Sequence, residues 1–151
     1  MNGRFEFFWM HGRHVAEVAA AEFDYWHFVL SQGGCITASC PWRLIRDGHI
    51  AISGDDQGQQ FGLPAPVDAV SLVPSLLAES VIERVEVREG TADLIIHFDH
   101  SFRLEVIPFS SGYESWQVTA PDMSSIFAQG GGQLCSVPAT SSSVVTATSI
   151  R

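Results

Sequence analysis

The chain has 151 residues, 46% of them apolar and 17% charged, with eight basic and seventeen acidic side chains and a formal net charge of −9. That balance describes one folded domain burying roughly two-thirds of its surface and excludes a disordered acidic segment. All the basic residues are arginine, which excludes a lysine-bearing phosphate loop, a pyridoxal Schiff base and Ser-x-x-Lys acyl chemistry, and the acid excess argues against nucleic acid as a direct ligand.

The opening Met1-Asn2-Gly3-Arg4-Phe5-Glu6-Phe7-Phe8-Trp9 has no basic region ahead of a long apolar run, and no stretch reaches the eighteen or so apolar residues of a membrane span, so a cytoplasmic protein with no membrane partner is expected. Short alternating or apolar segments bounded by turn residues predict strands at Arg4–Trp9, His14–Ala19, Phe23–Leu30, Cys35–Ser39, Trp42–Arg46, His49–Ser53, Val81–Arg88, Leu94–Phe98, Phe102–Ile107, Tyr113–Thr119 and Ser124–Ala128. Phe23–Leu30 is apolar on both faces and reads as a central strand covered on two sides. Asp47-Gly48 is the strongest hairpin signal, since a type I′ turn needs positive φ at both central residues. One helix is expected, about Ser71 to Glu79, with Ser71 as cap so that Pro74 falls in the first turn, where no intrahelical donor is lost.

The fold class that follows is a β-dominated α+β domain over residues 1–135, two antiparallel β-meanders joined by one short helix at about 71–79. The segments 14–46 and 81–119 resemble each other. Val15-x-x-Val18, Trp26–Leu30, Gly34–Thr37 and Trp42-Arg43-Leu44 can be laid over Ile82-x-x-Val85, Leu94–Phe98, Arg103–Val106 and Trp116-Gln117-Val118, an internal repeat that chance similarity of short strand patterns would equally produce. Residues 136–151, rich in serine, threonine and alanine and without any acid, read as a flexible tail, so the acid excess is concentrated on the domain.

Few residue patterns carry chemistry. Cys35, Cys40 and Cys135 are odd in number and not spaced as a zinc or redox pair, so they read as buried reduced thiols. His97-x-Asp99-His100 comes nearest to a metal site, because residues two apart on a strand share a face, but no third or fourth ligand stands at a useful spacing, and no cofactor is expected. His11-Gly12-Arg13-His14 lacks the glutamate and the helix of a zincin motif. The loop from Ser53 to Pro64 combines adjacent Asp55 and Asp56, three glutamines and three glycines, the composition of a binding loop on a β scaffold. Gly130-Gly131-Gly132 follows a strand with no helix after it and reads as a flexible exit.

Through Pro41-Trp42-Arg43, Asp55-Asp56-Gln57-Gly58-Gln59-Gln60-Phe61-Gly62-Leu63-Pro64, Gly112-Tyr113-Glu114-Ser115-Trp116 and Gln129-Gly130-Gly131-Gly132, the chain resembles an uncharacterised family of small bacterial proteins, a domain of unknown function, over about residues 12–134. In general character it also resembles the immunity proteins of toxin systems, which are small, acidic and β-rich. These resemblances imply no catalytic residue. The acid excess and the general likeness to immunity proteins lead to the expectation of a non-catalytic acidic binding protein that neutralises a toxin by covering its basic active site. The composition of the odd loop and of the aromatic and acidic run makes Asp55, Asp56, Gln57, Tyr113, Glu114 and Trp116 the expected partner-binding residues. Trp116 has a second reading as core, because Glu114, Trp116 and Val118 share a face. The alternatives are a small-ligand or metal-binding module, enzymatic or not, that uses His97, Asp99 and His100 or the Asp55-Asp56 loop, and an oligomeric scaffold paired through strand edges.

Overall fold

Eleven strands and one α-helix make up the computed structural model, which describes residues 7–139. In chain order these are β1 (Val15–Ala21), β2 (Tyr25–Leu30), β3 (Cys35–Ala38), β4 (Trp42–Arg46), β5 (His49–Ser53), α1 (Ala69–Leu76), β6 (Ile82–Val87), β7 (Leu94–Phe98), β8 (Phe102–Val106), β9 (Trp116–Thr119), β10 (Ser125–Ala128) and β11 (Leu134–Val137). They form two antiparallel sheets, one in the order β1-β2-β3-β9-β10-β11 and the other β5-β4-β8-β7-β6. The apolar faces of both sheets close into a single core containing Phe28, Ile36, Leu44, Ile96, Leu104 and Val118. Trp42 meets Trp26 and Phe28 edge-to-face there, with ring centroids 5.0 and 5.1 Å away, the geometry that the ring quadrupoles favour.

The architecture is the expected β-dominated α+β class, but the two sheets are not two consecutive meanders. Each half of the chain builds a three-stranded meander in one sheet, β1-β2-β3 or β6-β7-β8, and then sends a hairpin across to the other. The β4–β5 hairpin pairs with β8, and the β9–β10 hairpin pairs with β3. Trp42 stands opposite Val106 at the end of β8, and Trp116 opposite Ala38 at the end of β3. The ladders of β1 and β6 also slip at matching places, between Val15 and Glu17 and between Ile82 and Arg84. Aligning the inward residues of the two paths sets Ile36 against Leu104. The overlay read from the sequence differs from this by one residue in that strand, a slip that exchanges its two faces.

Several local expectations are revised. Phe8–Met10 is a turn of 3-10 helix, not the end of a strand, and residues 4–6 of that expected strand lie outside the described residues. Glu22–Asp24 is likewise a 3-10 turn, and β2 after it alternates, burying Trp26, Phe28 and Leu30 on one face only. The helix starts two residues earlier than expected, with Asp68 at the cap position and Pro74 inside. Ala69, Val73 and Leu77, spaced by four, are all fully buried, and Ala69 N donates to Gln57 Oε1 at 2.7 Å, so burial and an external acceptor hold the first turn despite the proline. Asp47 and Gly48 do form the tight turn at positive φ, 52° and 82°. Ser136 and Val137 belong to β11 and not to the tail; residues 140–151 lie outside the described residues.

Candidate functional site

Both halves change sheets at the same end of the molecule, and the two crossovers run together. Ser39-Cys40-Pro41 joins β3 to β4, and residues 107–115 join β8 to β9. Ser39 N donates to Ser115 O at 2.8 Å and Ile107 N to Pro41 O at 2.8 Å. Ser110 Oγ accepts from Gly112 N and Tyr113 N, which folds the second crossover into a turn with Tyr113 at its tip. Gly130 packs flat on the backbone of Gly112, leaving no room for a side chain, and Gly131 N donates to Ser110 O. The glycine triplet is therefore a wedge that fixes this loop, not a flexible exit.

Two cavities adjoin along Ser39-Cys40-Pro41. One, about 460 Å³, is lined by Asp24, Trp26, Trp42, Gly54, Asp55 and Gln57 among others. The second, about 580 Å³, is lined by Tyr25, Phe109, Tyr113 and Glu114. Tyr113 and Phe109 are four-fifths exposed, and Tyr25 about half. No arginine or histidine is among the residues lining either cavity, whereas three carboxylates are: Asp24, Asp55 and Glu114. Burial pushes the Cys40 thiol in the shared wall up to about 12, with Asp93 adding to the rise, so it stays protonated at neutral pH and is a poor nucleophile.

The structure thus brings Asp55 and Gln57 to one end face with Tyr113 and Glu114, which lie far away in sequence. It gives Asp56 a different task. Its Oδ2 accepts from Ser53 N at 2.9 Å in a capping box, so the adjacent aspartates do not act as a pair. Gln57 is half engaged, its Oε1 held by the helix start. Trp116 is 2% exposed, and its Nε1 donates to Ala92 O at 2.8 Å, so it is core and cannot anchor a partner. Asp24, Tyr25 and Phe109 were not singled out from the sequence; Phe109 lies in a sheet crossover and Asp24 and Tyr25 at the β1–β2 connection beside one, a proximity that requires the topology.

His97, Asp99 and His100 are engaged locally. His97 Nε2 lies 3.0 Å from Glu86 Oε1, Asp99 Oδ1 accepts from Val81 N at 2.8 Å, and His100 Nδ1 faces Ser80 Oγ and Asp99 Oδ1. Among the described residues no three His, Cys, Asp or Glu side chains are placed to hold a metal ion. No described helix is long and apolar enough to cross a membrane. No family model matches the chain, and no curated protein or solved structure does either.

Proposed function

We propose that the crossover end is a protein-recognition face for a basic partner, and that the chain is a non-catalytic binding protein of the immunity type that covers the basic active site of a toxin in the cytoplasm. The observation that carries this reading is the joined pair of cavities, flanked by exposed Tyr25, Phe109 and Tyr113 and edged by Asp24, Asp55 and Glu114 with no cation in their linings. Tyrosine is among the residue types enriched in the few positions that dominate binding at protein interfaces, and carboxylates speed encounter with a cationic surface and select against acidic ones.

The test is co-expression with the product of the adjacent gene. The wild-type chain is expected to bind that product and protect cells from it. Tyr113→Ala with Glu114→Gln, both on the exposed loop, is expected to weaken binding by about 2 kcal/mol or more. Absence of both binding and protection with the wild-type chain would refute the proposal.

A further inference from the structure

The two halves carry a tryptophan at the same place, the first residue of the strand that crosses between sheets, and treat its N–H differently. Trp116 Nε1 is satisfied by the Ala92 carbonyl, which comes from the connection between β6 and β7. The matching connection in the first half, Glu22–Asp24 between β1 and β2, supplies no such acceptor. Trp42, 3% exposed, has a buried Nε1 without a hydrogen-bond partner among the described residues. A buried donor left unpaired costs about 1–3 kcal/mol, so such a group calls for an explanation. Trp42 lines the 460 Å³ cavity, and so do Asp24 and Asp55, both exposed at its rim. Gly54 lines it too, and a side chain there would stand 2.8 Å from Trp42 Nε1. Gln57, whose carbonyl is taken by Ala69 N, still has its amide N–H groups to offer.

We propose that this cavity is a pocket for a cationic group with a carbonyl oxygen a few bonds from its charge: the cation lies with Asp24 and Asp55 at the rim, and the oxygen accepts from Trp42 Nε1, which the Gly54 turn covers in the unliganded chain and uncovers as the ligand seats. An arginine or lysine residue has this chemistry, either free or as part of a polypeptide. The inference rests on the reading of this end as a face for a basic partner and gives that face its deepest anchor. The volume is at the lower end of the range for small-ligand sites, enough for one residue.

The experiment follows the tryptophan indole resonances of the ¹⁵N-labelled full chain, assigned by Trp→Phe variants, during titration with Nα-acetyl-arginine amide and a capped Gly-Arg-Gly peptide. The uncharged control is Nα-acetyl-norleucine amide. The Trp42 N–H resonance is expected to move with the arginine probes and not with the control, while that of Trp116 stays in place. Equal affinity for both arginine probes would identify the free residue as the source, and a preference for the peptide a polypeptide segment. Asp24→Asn with Asp55→Asn, both on the surface, is expected to weaken binding about tenfold or more, and Trp42→Phe roughly fivefold to tenfold. A Trp42 resonance unmoved by either arginine probe, or undiminished binding by the double variant, would overturn the pocket. Continued protection of cells in that event would leave the partner face standing.

Discussion

Trp42 and Trp116 differ in one hydrogen bond, and that difference sets the cost of removing each indole nitrogen. Trp116→Phe strands the Ala92 carbonyl in the core, whereas Trp42→Phe deletes a donor that already lacks a partner. The Trp116 variant is therefore expected to be less stable than the Trp42 variant by about 1–2 kcal/mol, read from urea unfolding midpoints. Gly54→Ala tests the floor from the other side. Its methyl group would lie 2.8 Å from a rigid indole ring, and a loss of about 1–3 kcal/mol is expected from overpacking. At Cys40 the raised thiol pKa of about 12 predicts that, with Cys35 and Cys135 replaced by serine, alkylation stays slow through pH 9. An ordinary thiol, titrating near about 8.5, would by then have reached most of its full rate.

At the scale of single elements, Glu105 on β8 joins two strands. It is 6% exposed and accepts from Arg43 on β4 at 2.7 Å and from Arg103 on its own strand. Burial raises its pKa, and the hydrogen bonds and charges of Arg103 and Arg43 together outweigh that, holding the carboxyl below its ordinary value. A carboxylate depressed in the folded state contributes stability above the unfolded value of about 4.3, and that contribution fades as the pH falls through the lower folded value. Glu105→Gln is expected to cost about 1–2 kcal/mol at pH 7, moderated by the partial exposure of both arginines, and the gap from wild type should close in acid unfolding curves below pH 4. Much of this level was legible in the sequence. Trp42–Arg46, His49–Ser53 and Leu94–Phe98 coincide with β4, β5 and β7, because each pairs alternation or an apolar run with clear turn residues. Asp47-Gly48 marked its hairpin for the same reason. The helix start was missed because Gln57, twelve residues upstream, supplies the acceptor that no local cap does. The end face was half legible: Asp55, Gln57, Tyr113 and Glu114 stand out by composition, but their proximity depends on which strand each hairpin crosses to meet. Trp116 was readable as an anchor by residue type and as core by its place on one face with Val118, and its burial decides for the core.

For the whole molecule, the exchanged hairpins make each sheet a joint product of both halves. Neither half can keep its sheet when the other unfolds, so unfolding is expected to be a single transition, with tryptophan fluorescence and far-ultraviolet circular dichroism giving coincident curves in urea. Separate transitions would show that the halves are independent. The net charge of −9 adds a long-range effect: association with a basic partner should slow steeply as salt rises, while dissociation changes little.

The same exchange has a bearing on synthesis. The β4–β5 hairpin leaves the ribosome with one long edge unpaired, and its neighbour β8 is made only after the helix and two further strands; β3 waits longer still for β9. Until then the nascent chain carries two open strand edges and half of a core, the condition in which strands of neighbouring chains pair with one another. Such late, distant pairing also slows folding. The interlock that unites the finished molecule is thus a hazard during its birth, when a holding chaperone or a low rate of expression would have its greatest effect on yield.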